Sequence, residues 1–93
     1  MDKLEARRIL SAYLAPFESR TYDELAALVE SKYHETIEAH GESGTWYQIE
    51  LQAFWDDKPG GAVRILGSID DGGIRAFFSL CDDVLVFKLA PIA

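Results

Sequence analysis

Hydrophobic positions along the chain change their period once. Through the first thirty or so residues they recur every three or four, and from about residue 33 they recur every two. The early spacing, at Ala6, Ile9, Leu10, Tyr13, Leu14 and Phe17, is one face of an amphipathic helix running from Asp2 to about Ala15. Pro16 should end it, because the residue before a proline is steered away from the α region. A second helix opens at Thr21-Tyr22-Asp23-Glu24. There the Thr21 hydroxyl and the Glu24 side chain can satisfy each other's backbone amides as a capping box. Leu25, Leu28, Val29 and Tyr33 form its apolar stripe, and the short link from Pro16 to Arg20 makes the two helices an antiparallel hairpin.

The two-residue period begins with Tyr33, Glu35, Ile37 and Ala39 on one side and His34, Thr36, Glu38 and His40 on the other. This segment reads as a first strand, with an extension of the second helix as the competing reading. From Thr45 to Trp55 the alternation is clean: Tyr47, Ile49, Leu51, Ala53 and Trp55 share the inner face. A three-residue loop, Glu42-Ser43-Gly44, pairs Ala39 with Tyr47 and Ile37 with Ile49, and it puts Gly44 where such loops need a left-handed residue. Sliding the register by one would bury Glu38.

After Asp56-Asp57-Lys58-Pro59-Gly60-Gly61 a third strand, Ala62 to Ile69, turns Val63, Ile65, Gly67 and Ile69 inward. A type I′ turn at Asp71-Gly72 would pair Ile69 with Ile74, Gly67 with Ala76, Ile65 with Phe78 and Val63 with Leu80. A last tight connection at Asp82-Asp83 would oppose Leu80 to Leu85 and Phe78 to Phe87, leaving Val84, Val86 and Lys88 outward. The expected fold is α+β and two-layered: an N-terminal αα hairpin packed on one face of a four- or five-stranded antiparallel meander, residues 1–93 forming a single domain.

Composition narrows the function classes. The 93 residues are 48% hydrophobic and 27% charged, the balance of a folded domain and not of a disordered one. Sixteen acidic against nine basic residues give a net charge of −7, a field that repels phosphate backbones, so nucleic acid is not an expected partner. The charged N-terminus leads into no signal-like apolar core, and no stretch reaches the roughly 20 apolar residues of a membrane helix. No membrane association is expected. The single cysteine, Cys81, cannot form an internal disulfide, which fits a cytoplasmic location. In make-up the chain resembles many small acidic bacterial domains.

Candidate chemistry is sparse. His34 and His40, with Glu35, Glu38 and Glu42, have the donor types of a metal site. On a strand, however, the two imidazoles lie on the order of 20 Å apart, and on a helix they face different ways. The acidic pairs at 56–57, 70–71 and 82–83 lack the twelve-residue pattern of a calcium loop and are explained as turn formers. Cys81 has no cationic neighbour in sequence to activate it, and no glycine run has a nucleotide-binding spacing. No catalytic residue, cofactor or metal is assigned.

What remains is the outer sheet face. In the registers above it carries Trp46, Glu50, Gln52, Phe54, Arg64, Leu66, Arg75, Phe77 and Val86, with Leu66 opposite Phe77 and next to Gln52, and Phe54 near Arg64. Glu50, Ser68 and Arg75 would form a polar row. Large apolar residues among a few charges are the make-up of an interface core. The expectation is therefore a non-catalytic protein-interaction module that binds a protein partner or itself, as a homodimer, through this face. The alternative is a small cone-shaped α+β ligand-binding domain or enzyme, with a pocket between helices and sheet lined by Tyr47, Trp55, Tyr13 or Tyr33. An almost wholly apolar inner face gives that pocket no titratable groups to work with.

Overall fold

A computed structural model describes residues 2–72 and 80–88. Two helices, α1 (Lys3–Glu18) and α2 (Tyr22–Glu30), precede four strands: β1 (His34–His40), β2 (Trp46–Trp55), β3 (Val63–Asp70) and β4 (Leu80–Val86). The sheet is an antiparallel meander in the order β1-β2-β3-β4. Helix α1 packs on β3 and β4 and helix α2 on β2 and β3, so the two layers expected from the sequence are present.

Helix α1 starts where the Asp2 carboxylate caps it, accepting the Glu5 amide at 3.1 Å. It buries Ala6, Leu10, Leu14 and Phe17. It also runs through Pro16 to Glu18 and does not stop at Ala15. Proline removes one ladder bond, a loss that a last helical turn tolerates when tertiary packing holds it. Phe17 supplies that packing, with its ring buried in the core and the Arg20 guanidinium 5.2 Å above it. The Ser19 hydroxyl further secures the turn by donating to the Pro16 carbonyl.

Helix α2 has the expected capping box in full: the Thr21 hydroxyl accepts from the Glu24 amide, and the Glu24 carboxylate accepts from the Thr21 amide. Its C-terminus is a Schellman motif. The Tyr33 amide donates to Leu28 and the Lys32 amide to Val29, with Lys32 in the left-handed region at φ 58°. That reversal sends the chain into β1 and settles residues 34–40 as a strand.

The β1–β2 register is the expected one, with Ala39 opposite Tyr47 and Ile37 opposite Ile49, and Gly44 is left-handed at φ +87°. Between β2 and β3, Gln52 faces Leu66 and Phe54 faces Arg64, again as expected. The third pairing departs from expectation. Ile69 lies opposite Leu80, Gly67 opposite Asp82, Ile65 opposite Val84 and Val63 opposite Val86. Asp82 and Asp83 are therefore inside a strand and do not form a turn. Apart from Leu80, the strand expected at 74–80 lies outside the described residues. Gly72 has the positive φ expected of it, +72°, but its amide is held by the Asp70 carboxylate at 2.8 Å, and the type I′ register does not form.

The consequence is a change of face along β4. Val84 is buried and Val86 packs against the core, whereas Leu85 and Phe87 are exposed, the reverse of the expected arrangement. The core between the layers is otherwise the predicted set: Tyr47, Ile49, Leu51, Ala53, Val63, Ile65 and Ile69 beneath Leu10, Leu14, Phe17 and Leu25.

Candidate functional site

The outer sheet face is built in cross-strand rows. One row runs His34, Gln52, Leu66, Asp83 and the next runs Thr36, Glu50, Ser68, Cys81; a third is Phe54, Arg64, Leu85. Trp46, Phe54, Arg64 and Leu66 are half-buried, and Glu50 and Gln52 are exposed. Six of the residues assigned to the interface thus share this face. Val86 does not: it opposes Val63 and packs against the core on the helix side. Arg75 and Phe77 lie outside the described residues. Leu66 has Asp83, not Phe77, across the strand pair, and Cys81 stands beside Ser68 in the row where Arg75 was expected.

Arg64 organises the end of this face. Its Nε and Nη2 donate to Asp56 Oδ1 at 2.8 and 2.5 Å, and its Nη1 donates to Asp83 Oδ2. Hydrogen bonding to Asp56, helped by the charges of Asp56 and Asp83, pushes the guanidinium pKa further up. Two carboxylates thus hold one cation between Phe54 and Leu85. A strand aspartate next to a second aspartate resembles a turn in sequence; its cationic partner on the neighbouring strand is what keeps Asp83 in β4.

Among the described residues, the charge left over on the face is negative. Glu38 and Asp70 flank Gln48 in one row and Glu50 is exposed in the next. Trp46 closes the face at the far end, its ring lying over Gly72, where an added Cβ would come within 2.9 Å of Cζ3.

A second polar cluster, which the sequence reading missed, joins the two layers. The Glu5 carboxylate on α1 accepts the Tyr47 hydroxyl at 2.7 Å, the Ser43 hydroxyl at 2.7 Å and the Ser43 amide at 3.1 Å. Those bonds, the Ser43 hydroxyl first, lower the Glu5 pKa. Burial, then the bond to the Glu5 carboxylate, pushes the Tyr47 hydroxyl up to about 12. Every polar atom here has a partner inside the cluster, so it ties the start of α1 to the β1–β2 loop and offers no reactive group. Tyr22 does similar work at the other end, its hydroxyl 2.9 and 2.6 Å from the Gly60 and Gly61 carbonyls.

The aromatic residues named for an inner pocket are core instead. Tyr47 is fully buried, and Tyr13, Tyr33 and Trp55 are partly buried residues packed against the core cluster. Recesses lined by described residues include ones of about 200 Å³ beside Arg7, Leu80 and Asp82, about 180 Å³ beside Arg8, His40 and Glu42, and about 400 Å³ beside Asp56, Lys58 and Phe87. None of these is lined by the four aromatics. Among the described residues no group of three or more His, Cys, Asp or Glu side chains is placed to hold a metal ion. Nor is any helix among them long and apolar enough to cross a membrane. Comparison with family models, with curated proteins and with solved structures finds no match.

Proposed function

We propose that the protein is a non-catalytic interaction module of the cytoplasm, and that its open sheet face docks a protein partner presenting cationic side chains around an apolar contact. The observation that carries this reading is the composition of the face opposite both helices. Trp46, Phe54 and Leu66 supply half-buried apolar surface, while Glu38, Glu50 and Asp70 surround it with carboxylates and Arg64 is already neutralised by Asp56 and Asp83. A protein of net charge −7 accelerates its encounter with a positively charged partner and repels its own kind at the same face. A cationic partner is therefore favoured over a face-to-face homodimer.

The test is a titration of isotope-labelled protein with a synthetic peptide of alternating Lys and Leu, followed by amide chemical shifts. Saturable, salt-sensitive shifts centred on Trp46, Gln52, Phe54 and Leu66, lost in Leu66→Glu, are the expected outcome. Shifts spread over the helices, or none, overturn the reading. Concentration-dependent shifts at those residues without peptide would replace the cationic partner with a second copy.

A further inference from the structure

The free edge of the sheet at β1 is the feature that the partner-binding face does not use. Strand β1 lies at the end of the sheet, with β2 as its only neighbour among the described residues, and its side chains are mostly exposed. The phase of its main chain is fixed at both ends: the Gly41 amide donates to Thr45 and the Ala53 amide to the Tyr33 carbonyl. Since antiparallel pairing alternates, the odd residues of β1 bond to β2. His34, Thr36, Glu38 and His40 therefore turn their N–H and C=O groups away from the sheet.

Residues 34–40 read His-Glu-Thr-Ile-Glu-Ala-His, a run whose ends match about its centre. We propose that two copies of the chain join antiparallel through β1, with a two-fold axis at Ile37, to form one continuous eight-stranded sheet. In this register Thr36 pairs with Glu38 of the second copy and His34 with His40, and each such pair exchanges both main-chain bonds. The outward-turned groups of the edge are all used. Ile37, half-exposed in the single chain, meets Ile37 of the second copy at the closer, non-hydrogen-bonded spacing. Glu35 meets Ala39, a side chain small enough to leave the carboxylate on its own Tyr33 hydroxyl, 3.3 Å away.

The neighbouring registers are worse. Centring on Glu38 or on Glu35 sets a glutamate against its own copy, and centring on Thr36 sets Glu35 against Ile37; like charges directly opposed destabilise a strand pair. The other sheet edge among the described residues is a poorer candidate, because β4 turns Asp82 toward the helix side, where a carboxylate deters strand addition. Joining two copies at β1 leaves both outer faces open and places them side by side, so the assembly presents the partner-binding surface twice.

Sedimentation equilibrium at high-micromolar protein tests the assembly, and oxidative cross-linking tests its register. Wild type is expected at twice the chain mass. Thr36→Pro removes only an N–H that points off the sheet, so it should give a monomer with an unchanged circular dichroism spectrum. In a Cys81→Ser background, Ile37→Cys should oxidise to a disulfide-linked dimer, since the two-fold brings the Cα atoms to about 4.5 Å, within disulfide range. If Thr36→Pro fails to fold, the cross-link decides. A monomeric wild type, a dimer that survives in folded Thr36→Pro, or cross-linking of Thr36→Cys in preference to Ile37→Cys would each overturn the proposal.

Discussion

Gly67 lies directly beneath Leu10. A Cβ built on Gly67 would stand 2.8 Å from Leu10 Cδ1, 3.2 Å from Leu51 Cδ2 and 3.3 Å from Leu14 Cδ2. The absent side chain sets how closely α1 approaches β3. Gly67→Ala should therefore destabilise the domain by about 1–3 kcal/mol, the usual cost of one extra carbon in a filled core. The denaturation midpoint checks it, and in a Leu10→Ala background, where the closest contact is gone, Gly67→Ala should cost less than it does in wild type.

Both ends of α2 give predictions of opposite sign. Thr21→Ala removes the hydroxyl that accepts the Glu24 amide and should cost about 1 kcal/mol. Lys32 closes the Schellman motif at φ 58°, a conformation that penalises any side chain by about 1–2 kcal/mol. Lys32→Gly should relieve it and stabilise the protein by about 0.5–1 kcal/mol, net of glycine's extra freedom in the unfolded chain. Urea unfolding of the two variants side by side would show midpoints shifted in opposite directions.

The bond between Tyr47 and Glu5 makes stability depend on pH at both extremes. Tyr47 is raised to about 12, so the folded state holds its proton more tightly than the unfolded chain. Its contribution is fully present below pH of about 10, the ordinary tyrosine value, and is lost as pH rises toward 12. Glu5 is lowered, so its contribution is present above the ordinary glutamate range and disappears as pH falls through the folded value. Tyrosinate absorbance should show a component titrating near pH 12 that is absent in Tyr47→Phe, and the variant should lose less stability than wild type across both limbs.

These contacts also show what a single sequence can and cannot carry. The helix faces, the capping box and the first two strand pairings were legible because each rests on local spacing or on alternation across a short loop, where one register alone keeps charges out of the core. The pairing of β4 was not, because Asp82-Asp83 has the residues of a turn. What overrides that local signal is Arg64, nineteen positions earlier, which holds Asp83 in a strand. With the parity of β4 inverted, Val86 left the outer face and Leu85 joined it. The Glu5 cluster was hidden for the same reason: its partners, Ser43 and Tyr47, are 38 and 42 positions away, and nothing local marks a surface glutamate as their acceptor.

Gly41 connects that cluster to the backbone of the β1–β2 loop. An added Cβ there would lie 2.2 Å from Glu5 Oε1 and 2.3 Å from its carboxyl carbon. A glutamate tip at the surface ordinarily swings aside, but this one is held by Ser43 and Tyr47 and cannot move without releasing them. Gly41→Ala should therefore act through Glu5: it destabilises the protein and brings the high-pH tyrosine component down toward 10, because burial still raises Tyr47 but the carboxylate no longer does. A double-mutant cycle isolates the effect. In a Glu5→Ala background, Gly41→Ala should cost almost nothing and leave the tyrosine titration where Glu5→Ala alone puts it. Equal costs in the two backgrounds would mean that Gly41 serves the loop's own conformation, and that the carboxylate's place beside it is incidental.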